Sequence, residues 1–310
     1  MKKFLSALAA LILSACAVAQ SDCTISLSVL RAPQTENIPA QTEEYLVTRL
    51  QSALTADGIV AGENLSQFFI AGKFSHVMED VVPGPPRQFA LHTVLTLYIG
   101  DAIGENIYAT TTIDMRGIGN STERAFINAL RTLNANNPTV ATCVNNAKKK
   151  ITAYFDKNYP QILTQADRCA AQHNYDEALW RLSLIPECCA GYAQAEAKTS
   201  QYYQRYIDQQ GTALLSLATA AWSVAHTPEA AAKAFGYLTQ IDPESSAYTA
   251  AQALAAEMKT SIKSDRNFEL RQKYSDAVDI KRRQIEAARE VGVAYGKGQQ
   301  QQTTNLTWLK

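Results

Sequence analysis

YDEALWRLSLIPECCAGY, residues 175–192, returns as AAKAFGYLTQIDPESSAY at residues 231–248, 56 positions further on. The two passages coincide at Ala178/Ala234, Leu182/Leu238, Ile185/Ile241 and Tyr192/Tyr248, so the shared positions step by four, three and seven. Side chains at those steps fall on one face of a helix. Positions between them differ, as at Glu177/Lys233 and Arg181/Tyr237. What recurs is a packing stripe, and a recurring packing stripe predicts a helical repeat whose stacked hairpins leave a grooved surface for a partner.

Working outward, ADRCAAQHNYDEALWRL (residues 166–182) sets Ala166, Ala170 and Ala171 before a turn at His173-Asn174, then Tyr175, Ala178, Leu179 and Leu182 after it. Small residues at a crossing let two antiparallel helices approach closely. This hairpin resembles a tetratricopeptide repeat, although a repeat of 56 residues departs from that family's period of about 34. An alanine-rich bundle with no family relation stays open. After Pro243 there is no Pro or Gly until Gly292, so one or two long helices are expected there, with a break at KSDRNFE around Ser264 and Asp265. The mixed charges of DIKRRQIEAARE predict a solvated helix face. Residues 293–310 read as a disordered polar tail, with Trp308 and Leu309 as its strong apolar residues.

The half before the repeat has another period. CTISLSVL sets Ile25, Leu27 and Val29 at every second position with β-branched residues among them, and TEEYLVTRLQSALTADG places Tyr45, Leu46, Arg49, Leu50, Ala53 and Leu54 along a helix. SQFFIAGKFSHVMEDVV and RQFALHTVLTLYIGD flank Pro83-Gly84-Pro85-Pro86 as a hairpin, and NIYATTTIDMRGIG follows as a third strand of the meander. Asn120 with Glu123 reads as the N-cap pair of the next helix, and PTVATCVNNAKKKITAYFDKNY as a further one. The expected fold is α+β: a β-α-β-β-β-α-α sheet domain over residues 20–159, then an all-α helical-hairpin domain over residues 160–292. The border is placed at Tyr159-Pro160, since proline disfavours helix in the residue before it.

The N-terminus, MKKFLSALAALILSACAVAQ, has the charged start and short apolar run of an export signal. Ala17-Val18-Ala19 predicts cleavage after residue 19, whereas Leu13-Ser14-Ala15-Cys16 resembles a bacterial lipobox, ending the signal at residue 15 with Cys16 lipidated. Both routes lead out of the cytoplasm, to the periplasm or the outer membrane. An exported chain keeps disulfides, and the distribution of cysteines suggests Cys23–Cys143 as one bridge and Cys169 with Cys188 or Cys189 as another; buried unpaired thiols are the alternative.

Chemistry is sparse. Lys plus Arg balance Asp plus Glu at 29 each, so no overall field attracts nucleic acid or acidic lipid, and membrane contact is expected only through a lipid on Cys16. The histidines lack metal-ligand spacing, and neither H-E-x-x-H nor G-x-S-x-G occurs. RGIGNSTERAF opens a helix after a strand, as phosphate loops do, but Thr122 stands where the third glycine would be. No cofactor or metal is expected.

The signal, the element order and the LYIGD…IYATTTIDMRGIG meander resemble the small α/β domains of envelope lipoproteins, those that activate penicillin-binding proteins or build curli pores. The whole chain resembles secreted Bacteroidetes proteins in which such a domain precedes helical repeats. The resemblance implies a non-enzymatic envelope factor that binds a protein partner through its helices. The candidate partner surface is Tyr175, Trp180, Arg181, Lys233 and Tyr237. Two rivals remain: a structural subunit of a surface assembly, and a secreted hydrolase, for which His76, His92, Asp101 and Asp114 would have to converge.

Overall fold

Leu27–Arg31 forms β1 and Ala40–Ala56 forms α1, followed by three long strands, β2 (Phe68–Val82), β3 (Gln88–Asp101) and β4 (Asn106–Gly119). The computed structural model describes residues 25–56, 66–134, 136–262, 270, 277–300, 306 and 309. The sheet order is β1-β2-β3-β4. β1 runs parallel to β2, with Leu27 beside Phe68, and the other two pairs are antiparallel across the expected proline turn and the turn after Asp101. Period-two alternation sorts β3 cleanly: Leu91, Leu95, Leu97 and Ile99 are buried on one face. Leu46, Leu50 and Leu54 of α1 pack there, and Phe74 meets Phe126 edge to face with ring centroids 5.5 Å apart.

Two helices follow, α2 (Thr122–Leu130) and α3 (Pro138–Ala171), which completes the expected β-α-β-β-β-α-α order. The cap of α2 is Ser121, whose Oγ accepts from Arg124 N at 3.2 Å, one residue later than the asparagine expected for that role. Asn137 caps α3 by accepting from Thr139 N and Val140 N, with Pro138 at the first helical position.

The expected helix break at residue 160 is not there. α3 continues 34 residues through Pro160. A proline inside a helix removes one backbone hydrogen bond, and packing outweighs that loss here, since Phe155 and Leu163 on either side of it are buried in the same core. That core extends from Ile25 through the sheet, α3 and the first hairpin to Ile207, and includes Ala288.

The helical half continues as α4 (Tyr175–Ser183), α5 (Tyr192–Val224), α6 (Pro228–Leu238), α7 (Tyr248–Ile262) and α8 (Ala277–Gln300). The repeated stripe is buried in both copies, at Ala178, Leu182 and Ile185 and at Ala234, Leu238 and Ile241. A second core holds Ala218, Trp222, Ala231, Ala234, Leu238, Tyr248 and Met258. The change from one core to the other therefore falls along α5, between Ile207 and Ala218.

The segment expected to be a disordered tail from residue 293 carries the end of α8 instead, and beyond it Leu306 and Leu309 are buried against Phe69, Ala71 and Ala102 on the other face of the sheet. Among the described residues, no helix is long and apolar enough to cross a membrane.

Candidate functional site

The first copy of the repeat is occupied from within the chain. α8 lies across α4, and its Gly292-x-x-x-Gly296 makes the approach possible. A Cβ on Gly292 would stand 3.0 Å from Trp180 N, and one on Gly296 would stand 2.5 Å from Trp180 Nε1. Tyr295 completes the contact, with its ring centroid 5.6 Å from that of Trp180. At the far end of the contact, Arg289 pairs with Glu187 at 3.0 Å and bonds the Tyr192 hydroxyl. Two glycines four apart in a helix were the sequence signal for this docking, and composition alone had assigned their neighbourhood to a solvated face and a tail.

Of the five residues expected to form a partner surface, three are committed to intramolecular contacts. Tyr175 is buried, and its hydroxyl lies 3.1 Å from His173 Nδ1. Trp180 is half-buried beneath α8. Arg181 lies 5.7 Å over the Trp180 ring, bonds Gln165 at 2.9 Å and pairs with Glu177 at 2.6 Å. The hydrogen bond from Arg181 holds the Glu177 carboxyl below its usual range, against the opposing effect of burial. The same hairpin is fastened to α5 by Asp167, which receives hydrogen bonds from Lys198, at 2.7 Å, and from the Tyr202 hydroxyl.

The other two residues are differently placed. α6 packs on α5 and α7. Lys233 is exposed and Tyr237 is half-buried at the edge of the second core. Between them, Gly236 occupies the repeat position of Trp180, is exposed, and has no atom within 4 Å of where a Cβ would be. On the neighbouring helix, Leu217 and Val224, seven residues apart, are 50% and 86% exposed. Their counterparts 56 residues earlier are the polar Gln161 and Arg168.

The cysteine pairings expected from the sequence are corrected: Cys143, Cys169 and Cys189 are free thiols, which leaves neither Cys23–Cys143 nor a bridge from Cys169. Cys188 is disulfide-bonded. Cys16 and Cys23 lie outside the described residues. Burial pushes the Cys189 thiol up to about 12, with Asp156 adding to the effect, and burial raises Cys143 as well. The thiolate is the reactive form, so both are expected to resist iodoacetamide at pH 8 in the native protein. After denaturation without reductant, Cys143, Cys169 and Cys189 should be alkylated, and a non-reducing peptide map should return Cys188 within a disulfide-linked peptide. Alkylation of Cys188 in that map would contradict the assignment.

The hydrolase constellation does not assemble. His92 Nε2 lies 3.9 Å from Asp114 Oδ1, but Asp101 sits at the opposite end of β3. It is buried there as a turn-former, accepting from Gln67 Nε2 and from the backbone N–H groups of Ile103 and Gly104. His76 lies at the β2 bulge with φ of 51°. Among the described residues, no group of three His, Cys, Asp or Glu side chains could hold a metal ion.

No family model matches the chain, and no curated protein does. Among solved structures, it is similar to a minor lipoprotein from Acinetobacter baumannii, at 20% identity over 38% of this chain and 94% of that one, with a TM-score of 0.26. It is also similar to a chain assigned as a lipoprotein from Caulobacter crescentus CB15, at 15% identity over 40% of this chain and 82% of that one, with a TM-score of 0.22.

Proposed function

We propose that this chain is an exported, non-enzymatic cell-envelope factor, periplasmic or held at the outer membrane by a lipid on Cys16, that binds a protein partner on its second helical hairpin. The observation that carries the reading is the inequality of the two repeat copies: α8 covers Trp180 in the first, while its counterpart Gly236 is exposed in the second. Helical-repeat units stack by burying one stripe and recognise partners with what the stripe leaves over. In the first copy the residue left over is sealed by the chain's own helix. In the second it is an exposed glycine flanked by Lys233 and Tyr237, on a unit whose α5 also exposes Leu217 and Val224. An aromatic side chain beside an uncovered helix face suits the centre of an interface, where Tyr, Trp and Arg are enriched. Tetratricopeptide-like recognition, in which a helix or extended segment lies along such hairpins, is the mode this arrangement suits.

The test is a photo-crosslinking amino acid at position 236 in cells, with the same probe at exposed Gln51 on α1 as the control. A discrete adduct is expected at 236, and Lys233→Glu with Tyr237→Ala should abolish it while leaving the melting temperature within a few degrees. Truncation of a central interface residue costs about 2 kcal/mol or more, enough to lose most of the adduct. Absence of any adduct at 236, or one that survives both substitutions, places the partner elsewhere.

A further inference from the structure

We infer that the free edge of β4 is a second, independent docking site, which takes an extended segment of a partner protein rich in carboxylates by strand addition. β4 ends the sheet order. It is 14 residues long, contains neither Pro nor Lys, and among the described residues its backbone bonds outside β3 are limited to Ile118 O, which accepts from Asn128 Nδ2 at 2.8 Å. Edge strands are ordinarily blunted by shortness, Pro, Lys or a covering element, because a row of unpaired N–H and C=O groups is a template for another strand. Here only one end carries such a device. From Ile107 to Arg116, every second residue turns its backbone groups away from β3.

The neighbouring surface specifies what the edge would accept. Beside Ala109–Thr111 lies a cleft of about 570 Å³, floored by one face of α3 that includes Thr142, Asn146, Lys149 and Lys150. Lys149 and Lys150 are exposed, and no carboxylate among the described residues pairs with them. A strand added to β4 would direct alternate side chains down to these lysines and the others outward beside Thr110 and Thr112. Acidic residues at every second position fit both the charge and the period. The same charges do not favour a second copy of this chain: antiparallel pairing about Ile113 would set Met115 and Gly117 of one copy, neither of them acidic, beside the lysine face of the other. Main-chain bonds of this kind supply affinity, and complementary charge selects the partner.

The probes are two ten-residue peptides, one alternating threonine with glutamate and one alternating threonine with lysine, titrated against the purified protein by fluorescence anisotropy and amide hydrogen exchange. The glutamate peptide is expected to bind at least about tenfold more tightly and to slow exchange within residues 107–116. Lys149→Glu with Lys150→Glu should reverse the preference between the peptides. One of Thr111→Pro and Thr112→Pro removes an N–H directed away from β3, and that variant should abolish protection at an unchanged melting temperature. If the proline variant proves unstable, the charge reversal decides alone. Equal affinity for the two peptides, protection confined to other elements, or edge protection that rises with protein concentration in the absence of peptide would overturn the proposal, the last by showing that a second copy is the occupant. Failure at position 236 leaves this site untouched, since the two surfaces share no element.

Discussion

Gly117→Ala is expected to lower the stability of the protein by at least about 3 kcal/mol, an overpacking cost at the upper end of the ordinary range. Gly117 is buried near the end of β4, where a single added methyl would overlap the carbonyl oxygen of Ala125 and come within 2.7 Å of Ala129 N. Both are backbone atoms of α2, so no side-chain rotation relieves the clash. The helix would have to lift, and Ala125, Phe126, Ala129 and Leu130, all buried against the sheet, would lift with it. Gly236→Ala is the control: it too adds a methyl to a glycine, but at an exposed helical site with open space around it, and helix propensity predicts a gain of up to about 1 kcal/mol. Urea denaturation of the two variants should move in opposite directions. A Gly117→Ala protein within about 1 kcal/mol of the parent would show that α2 does not depend on the bare backbone beneath it.

The reason for that glycine was only half legible. RGIG reads as the end of the third meander strand, and the structure places it there, but nothing local announces that Gly117 and Gly119 admit α2 onto that strand. Local period was a sound guide to element type, as in the alternation of β3 and the four-three spacing of Ala178, Leu182 and Ile185, because both patterns are imposed by burial on one side of a single element. Contacts between distant elements left weaker marks. The docking of α8 on α4 was recorded in two glycines of a segment otherwise coloured by Gln, Lys and Arg. The burial of Leu306 and Leu309 on the far face of the sheet was recorded in two leucines of a polar tail. Cysteine pairing depends on where loops end in space, which no spacing rule contains. Of the five residues put forward as a partner surface, Lys233 is exposed and Tyr237 half-buried, while Tyr175, Trp180 and Arg181 are held by neighbours that the sequence did not announce.

Proline misled for a related reason. Its local preference against helix is real, but the structure places Pro160 within the element that unites the sheet with the first hairpin, and one missing hydrogen bond is small beside the burial on either side. A fragment ending at residue 158 is consequently expected not to fold cooperatively, although its sequence contains every strand and the first three helix starts. The cut removes Leu163, Leu179, Leu182 and Ile185 from the core that also holds Phe68, Ile151 and Phe155. Burial of each such side chain contributes about 1.5–3 kcal/mol, and a domain's whole net stability is about 5–15 kcal/mol, so four losses consume most or all of the margin. Phe155, which meets Phe68 edge to face at 5.9 Å, would be left three residues from a frayed helix end. The fragment should show no sharp urea transition and weak near-ultraviolet circular dichroism, and adding the remainder of the chain, residues 159–310, should restore both. A cooperative transition in the short fragment alone would mean that the sheet and its helices form a separate domain, with the continuous core an addition to a fold already complete at Tyr159.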